Sequence, residues 1–411
     1  MNFLVKLILV FLALLVSSRA DTNLSGLIVG LDTIPPRIRE HNPSLAAARW
    51  RIAEAEARLR GSGLRDNPEL ESGFEHNSTL REGRIEVGLS QRFPVTNRLA
   101  IERQVSTTLV LQAQAEVAAV ERALIQEART HLVEIISLRD QQALGAQQTT
   151  LAETLADFIS KAAKKGELSS LDAGQAKLDA ARLRAKIPSL RAAEVATVGK
   201  LKPLLGMNPQ ETLHIAGKQL ARPQLIESTV QLEQRPDYQA AQLSVQASAQ
   251  EIELEKSRRY DDVEVGVVAG LERTEDAPEG FETEGLIGFR VKLTLPFWQK
   301  NEAAIQEAEA RTQRKRLEAR ALGAQIQGEA EAAYREMTEW ATLSHTLEET
   351  LLPQAKAQAA LAEKAYREGL GTLQSILRAR EQELELAESH IDTLKQFHLA
   401  RVRYEASTGQ N

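Results

Sequence analysis

Residues that could carry catalytic or metal chemistry are few and scattered along this chain. It has no cysteine, which excludes disulfides, thiolate metal sites and cysteine nucleophiles. Its histidines, none of which has a metal-binding spacing such as H-x-x-x-H, are His41, His76, His131, His214, His345, His390 and His398. The serine-hydrolase motif G-x-S-x-G, a phosphate-binding loop and the Rossmann glycine pattern are also missing. We therefore expect no enzyme, no cofactor and no metal site.

Polar residues or glycines, several of them glutamates, alternate with apolar residues in four short segments. A period of two is typical of β-strands with one apolar and one charged face. The glutamates that fall on the charged side are Glu69, Glu71, Glu86 and Glu264. In a closed barrel these carboxylates would line the lumen and favour cations, whereas in a soluble sheet they would simply be solvated.

The composition is that of a chain rich in long helices. With 411 residues it could hold two or three ordinary domains, but aromatic residues make up only 4%, too few for a large rounded core. Alanine, leucine, glutamate, glutamine and arginine take their place, as is typical of long packed helices. The net charge of −6 gives no indication of a nucleic-acid-binding surface.

The first twenty residues have the pattern of a signal peptide. Lys6 precedes an apolar run from Leu7 to Val16, and Ser18 and Ala20 place small residues at the two positions that a signal peptidase reads. The run is too short to span a bilayer. We predict cleavage after residue 20 and a mature chain from Asp21, rather than a membrane anchor or a core helix. Later segments lack the roughly 20 apolar residues of a membrane-spanning helix, so insertion would require strands.

Three landmarks recur in the same order at an offset of about 190 to 205 residues. They are a helix start (residues 42–48 and 235–241), a strand exit (89–94 and 293–298) and a helix break (165–171 and 368–373). We interpret the chain as a tandem duplication with repeats at residues 21–210 and 211–411.

Each repeat reads helix, strand, strand, long helix, break, helix. In the first repeat we expect a helix at about 36–64, strands at about 68–76 and 84–93, a long helix at 97–164 and a helix at 169–205. In the second we expect a helix at 236–260, strands at about 262–272 and 285–297 with a loop between them, a long helix at 301–367 kinked by Pro353, and a helix at 372–406. At 1.5 Å per residue, a helix of roughly 65 residues is about 100 Å long.

The four strands allow two architectures. Their length suits tilted strands that cross an outer membrane, but four strands cannot close alone, because the smallest membrane barrels have about eight. Three chains would supply about twelve strands. The alternative is a pair of soluble hairpins that cap a coiled coil. The alanine-rich long helices fit either the thin wall of a ring of helices or an ordinary antiparallel coiled coil.

The ordered set of features resembles the TolC-like outer-membrane efflux family. It comprises the signal peptide, the duplication, two strand pairs, the long helices and G-x-x-[ST] breaks at Gly166 and Gly369. The second break, residues 365–377, is especially similar to the family's Y-x-x-G-x-x-[ST]-x-x-D-V-L stretch. Residues 65–70 resemble the start of the first strand in the cobalt–zinc–cadmium branch. The resemblance extends from about residue 36 to residue 409.

This resemblance implies a mainly α fold with a membrane β-barrel part. The implied assembly is a homotrimer, with a twelve-stranded barrel continued by a twelve-helix α-barrel across the periplasm. It would be the passive exit duct of a tripartite efflux or secretion system in the outer membrane of a Gram-negative-type bacterium, surrounded by outer-membrane lipid. Its implied partners are a periplasmic adaptor (membrane fusion) protein and an inner-membrane pump such as an RND-type transporter. Metal cations, drugs and secreted polypeptides all use such ducts, so the resemblance leaves the substrate open, with heavy-metal cations or small toxic molecules as candidates.

The resemblance places a gate and the adaptor contacts at the two breaks. The expected docking residues are Gly166, Leu168, Ser169, Gly369, Gly371 and Thr372. Ser375 stands where the family often has a constricting aspartate, and Arg378 where another can occur. We hypothesise that Asp172, with Glu167 nearby, supplies the remaining acidic constriction. Lys164, Lys165 and Arg367 lie nearby and would pair with these acids, which would hold the two breaks together in the closed state of the duct. The alternative is an exposed surface acid that contributes almost nothing.

Two other functions are compatible with long helices. A periplasmic adaptor has one helical hairpin inside a split β-rich domain, whereas this chain has two complete helix–strand–strand–helix units. A secreted coiled-coil scaffold would have no pore, and salt would release it from a membrane fraction.

Overall fold

The computed structural model describes residues 27–79, 81–217, 219–276, 278 and 280–409, which are mostly helical. The predicted signal peptide, residues 1–20, and the start at Asp21 lie outside these residues. The helices are α1 (Ile34–His41), α2 (Pro43–Gly61), α3 (Arg98–Lys164), α4 (Ser170–Leu204), α5 (Pro236–Ser257), α6 (Glu302–Thr346), α7 (Leu352–Arg367) and α8 (Leu373–Thr408). The strands are β1 (Leu27–Val29), β2 (Glu69–His76), β3 (Gly83–Phe93), β4 (Leu213–Ile215), β5 (Val263–Asp276) and β6 (Gly280–Lys292).

The prediction of a single helix at about 36–64 is wrong, because the helix is interrupted at Asn42. The Asn42 side chain accepts a hydrogen bond from the Leu45 N–H at 2.8 Å and so caps α2. Pro43 occupies the first turn of α2, where its missing N–H costs nothing. The sequence therefore contains a helix start inside the segment that its composition makes uniformly helical.

The expected loop between the last two strands is also wrong. Strand β5 continues to Asp276 and β6 begins at Gly280, with pairs as far out as Asp276–Gly280. The guanidinium of Arg273 lies 4.4 Å from the centre of the Phe281 ring and joins the two strands there. At the other end β6 stops at Lys292, earlier than residue 297, and β5 begins close to this level at Val263.

The predicted kink at Pro353 takes the form of a widened turn. Residues Leu347–Leu351 between α6 and α7 form a π-helical turn. Proline cannot donate a backbone hydrogen bond to the carbonyl four residues earlier, here Glu349. The wider turn accommodates this missing bond, as π-turns inside α-helices commonly do.

The strands form two sheets. Strands β1 and β4, which the sequence did not predict, pair in parallel. The other four form an antiparallel sheet in the order β2-β3-β5-β6. None of the described helices combines the length and the apolar content that a membrane crossing requires.

The chain forms two compact units. The first consists of the described parts of Met1–Arg37, Ala128–Ala221 and Ala355–Ile391, and the second of Ile38–Glu127, Arg222–Gln354 and the described part of Asp392–Asn411. In the second unit one core cluster comprises Ala333, Met337, Phe397, Ala400 and Tyr404, and another comprises Ala55, Val110 and Ala113. The many buried alanines allow helix backbones to pack closely.

The first break between long helices is a glycine turn. The Gly166 N–H donates to the Ala163 carbonyl at 3.0 Å, and the Glu167 N–H donates to the Ala162 carbonyl at 3.0 Å. Gly166 has φ = 80°, a left-handed conformation that glycine adopts without steric cost. Two such bonds around a left-handed residue make a Schellman motif, which ends α3.

The second break repeats this turn. The Gly369 N–H donates to the Tyr366 carbonyl at 3.0 Å, and the Leu370 N–H donates to the Ala365 carbonyl at 2.8 Å. Gly369 has φ = 76°. Both glycines therefore reverse the chain in the way that the sequence predicts.

A hydroxyl residue three positions after each glycine starts the next helix. The Ser169 side chain accepts from the Leu171 N–H at 3.1 Å, and the Thr372 hydroxyl accepts from the Ser375 N–H at 3.3 Å. The G-x-x-[ST] pattern is thus a helix stop followed by a helix start.

We expect Gly166→Ala to destabilise the first unit by about 1 kcal/mol, because an L-residue pays that much in a left-handed conformation. Gly369→Ala should behave alike. The matched control is Gly174→Ala in α4, where an added Cβ meets no atom within 4 Å and alanine is the better helix former by roughly 0.5–1 kcal/mol.

Thermal unfolding of the purified protein in detergent measures these changes. Opposite shifts for Gly166→Ala and Gly174→Ala are expected. Equal stabilisation by both would contradict the turn.

Candidate functional site

The four-stranded sheet has an apolar face that is open to its surroundings. Ile287 is 84% exposed and Phe289 is 83% exposed. Other large apolar side chains that are at least 37% exposed on this face include Leu70, Phe74, Ile85, Val87, Leu89, Val265, Val267, Leu271 and Val291. A water-soluble sheet buries such a face against a second layer. This sheet is therefore built for an apolar environment.

The register brings these apolar residues together across all four strands. Leu70 pairs with Leu89, Leu89 with Val267, and Val267 with Phe289. Residues paired across the strands form a row and lie on the same face of the sheet. Because side chains alternate along each strand, knowing the face of one row gives the face of all the others. The apolar residues therefore form one continuous patch, larger than those that soluble monomers normally expose.

The opposite face carries the four glutamates that the sequence singled out, and each is paired with a base. Glu69 lies 3.3 Å from Arg92, and Glu264 lies 3.7 Å from Arg92 and 4.0 Å from Lys292. Glu71 lies 3.3 Å from Arg290, and Glu86 lies 3.0 Å from Arg84 and 3.1 Å from Arg290.

These bases are the functional residues that sequence reasoning missed. Arg84, Arg92, Arg290 and Lys292 sit at alternate positions of β3 and β6. Their spacing was visible in the sequence, but their glutamate partners depend on the register. Each of the four glutamates has a basic partner, and the preference of this face for cations stays a prediction.

The two breaks, here called the tips (residues 164–172 and 367–375), lie beside a shared cluster in the first unit. The cluster comprises Ala156, Ile159, Ala173, Ala176, Tyr366, Leu373 and Ile376. Leu168, an expected docking residue, packs against it. Among the other expected docking residues, Gly166, Ser169, Gly369 and Thr372 are exposed and Gly371 is half-buried. Two exposed leucines flank the tips, with Leu171 at 73% and Leu370 at 81%.

The expected gate residues are only partly brought together. Asp172 is half-buried in the first turn of α4, while Glu167, Ser375 and Arg378 are exposed. The Ser375 hydroxyl donates to the Thr372 carbonyl at 2.6 Å and so serves the helix start.

Arg367, one of the basic neighbours expected to tie Asp172, pairs with another acid. Arg367 lies 2.5 Å from Glu363, and Lys364, on the same helix, lies 3.9 Å from Glu368. Glu363 also lies 2.6 Å from Arg380, which bonds the buried Glu383 at 2.9 Å. The ion pairs that hold this tip in the described chain therefore run along α7 and α8 instead of to Asp172.

Asp172 acts electrostatically on Tyr366, which sequence reasoning did not single out. Burial and the negative charge of Asp172 both raise the pKa of the Tyr366 phenol. Its side chain is only 8% exposed, and its hydroxyl has no hydrogen-bond partner among the described residues. A protonated phenol beside a carboxylate is an available hydrogen-bond donor. Tyr366 is the tyrosine of the Y-x-x-G stretch, which is the signal that could have identified it.

Comparison with known proteins agrees with this geometry. The model of the outer membrane efflux protein family matches residues 34–207 and again residues 229–410. No curated protein sequence matches the chain. The outer membrane protein VceC of Vibrio cholerae has a TM-score of 0.75 at 19% identity, over 92% of this chain and 96% of its own.

Two further solved structures have the same fold. The outer membrane channel CmeC of Campylobacter jejuni has a TM-score of 0.74 at 13% identity, over 92% of this chain and 85% of its own. The open state of the MtrE outer membrane channel of Neisseria gonorrhoeae has a TM-score of 0.73 at 14% identity, over 93% of this chain and 89% of its own.

The family matches cover most of the chain, and the predicted resemblance and mainly helical fold are confirmed. The adaptor and scaffold alternatives do not account for a match that extends through both strand pairs. The chain therefore belongs to the outer membrane efflux protein family, whose members are channels of the outer membrane and not enzymes.

Proposed function

We propose that three copies of this chain pool their sheets into one closed barrel and form the passive exit duct of a tripartite efflux system. The observation that carries the proposal is the open apolar face of the sheet, with Ile287 and Phe289 more than four-fifths exposed. Lipid tails would cover this face in the outer membrane.

The sheet edges support assembly from several chains. Within the described residues β2 and β6 each pair on one side only. An unpaired edge cannot face lipid, because its N–H and C=O groups would go unsatisfied. Pairing β6 of one copy with β2 of the next satisfies both edges, and three copies give about twelve strands, enough for closure.

The tips are where we propose that the partners dock. An adaptor would contact the tip residues Gly166, Leu168, Ser169, Gly369, Gly371 and Thr372. The exposed Leu171 and Leu370 add apolar surface beside both turns, as a protein interface requires. An inner-membrane pump would supply the energy, because the duct performs no chemistry.

The gate we propose is an interaction of Asp172 with Tyr366. Asp172 lies at the start of α4, where the helix dipole stabilises its charge, and Tyr366 lies in the last turn of α7. Tyr366 is protonated at neutral pH, because a phenol has a pKa of about 10 and the surroundings of Tyr366 raise the pKa further. In the closed tip the hydroxyl would donate to the carboxylate, and docking would break this bond.

A pair of neighbouring residues on opposite faces tests the barrel. We expect Ile287→Arg, on the apolar face, to reduce the amount of trimer in the outer membrane severely, because an arginine near the bilayer midplane costs about 2–4 kcal/mol per chain. Leu286→Arg should be tolerated, because Leu286 lies in the cross-strand row of Glu86 on the charged face. Detergent-extracted trimer from membrane fractions is the measurement. Equal tolerance of both changes would rule out a lipid-facing sheet.

Single-channel conductance tests the gate. Both Asp172→Ala and Tyr366→Phe should raise the conductance of the closed duct in planar bilayers, because each removes one side of the proposed bond. Asp157→Ala is the matched control, since Asp157 is an exposed acid of α3. An unchanged closed-state conductance of Asp172→Ala would mean that Asp172 is a surface acid without a gating role.

A further inference from the structure

Arg290 makes the longest reach of any ion pair described on the charged face of the sheet. It sits on the edge strand β6, yet its guanidinium lies 3.3 Å from Glu71 on the opposite edge strand β2 and 3.1 Å from Glu86 on β3. Neighbouring strands are about 4.8 Å apart, so roughly 14 Å separate the backbones of β6 and β2. The arginine and Glu71 can meet only if their side chains lie flat across the two strands between.

Small residues make room for this arrangement. Gly266 pairs with Arg290, Ser90 pairs with Gly266, and Gly88 pairs with Glu71. A Cβ on Gly266 would lie 3.1 Å from the Ser90 Cβ, and a Cβ on Gly88 would lie 3.4 Å from Val268 Cγ2. The arginine therefore crosses a floor with few side chains, where larger ones would stand in its path.

The bases balance the acids in this part of the face. Glu69, Glu71, Glu86 and Glu264 are matched by Arg84, Arg92, Arg290 and Lys292. Three further glutamates, Glu75, Glu272 and Glu284, lie farther along the strands in the cross-strand row of Arg84. Arg290 is the one base that pairs with both Glu71 and Glu86 among the described residues.

We propose that Arg290 sets the charge selectivity of the strand-built part of the duct. By lying over the glycine floor it offsets one of the two carboxylate charges of Glu71 and Glu86. Arg84 beside Glu86 offsets the other, so that solutes of either charge pass this level. Without Arg290 each chain would present unbalanced carboxylates there, and a ring of such charges favours cations. The inference rests on the proposed barrel, in which the charged face lines the lumen.

The lack of cysteine in the chain allows a local measurement that is independent of the tips. Ser90→Cys places one thiol in the row of Arg290. In liposome-reconstituted trimers, its modification rate is measured with a cationic and an anionic methanethiosulfonate reagent. We expect Arg290→Gln to raise the ratio of the cationic to the anionic rate about three- to tenfold, the effect of one unit charge a few ångströms away in salt water.

A control of equal charge lies on the other face. Arg273→Gln also removes one arginine, but Arg273 stacks on Phe281 on the apolar side of the sheet and should leave the ratio unchanged. If Arg290→Gln does not assemble, Glu71→Gln tests the same bridge and should lower the ratio by a similar factor. A reactive Ser90→Cys whose ratio responds to neither change would overturn the role of Arg290.

A second thiol separates this inference from the proposed barrel. Val267→Cys lies on the apolar face, in the row of Leu89 and Phe289, and lipid should protect it from both charged reagents. Fast labelling of Val267→Cys together with a silent Ser90→Cys would overturn the lumen assignment and the Arg290 proposal with it. Labelling at Ser90→Cys alone supports the barrel, and the rate ratio then decides on Arg290.

Discussion

The strongest constraint on this molecule is that its four-stranded sheet is unfavourable in water, and a single copy of the sheet is unfavourable in lipid as well. Water would disfavour the apolar face that carries Ile287 and Phe289, because each buried apolar side chain contributes roughly 1.5–3 kcal/mol. Lipid would cover that face but would leave the open edges of β2 and β6 without hydrogen-bond partners. Only closure of the sheet onto further strands meets both demands, and the other features follow from this need for partners.

The helical part meets a different demand with very local chemistry. Each tip ends one helix with a left-handed glycine and starts the next with a hydroxyl residue three positions later. The two tips differ where a partner would read them, since Glu167 of the first stands where the second has Leu370. The same turn therefore carries a charged side chain after its glycine at one tip and an apolar side chain at the other.

Sequence reasoning reached the features that depend on spacing along the chain and missed those that depend on spatial partners. Alternation located the strands and put Glu71 and Glu86 on one face, and the glycines marked both tips. Arg290 could not be matched to Glu71 from the sequence, because the two are 219 positions apart and meet only through the register. Tyr366 appeared as a motif letter, and its relation to Asp172 required the packing of α7 against α4. The extended β5–β6 hairpin was hidden by turn-forming glycines and acids that in fact pair.

The exposed apolar face of the four-stranded sheet also has a consequence before the copies assemble into a duct. Before assembly, the chain would expose an apolar sheet face and two unpaired strand edges to the aqueous periplasm. Exposed surfaces of this kind are prone to aggregate. Because β3 and β5 pair with each other within one chain, the sheet can form before the copies assemble, and its apolar face would then need cover until it reaches lipid. The apolar face that fits the assembled protein to lipid thus makes the unassembled chain prone to aggregation in the periplasm.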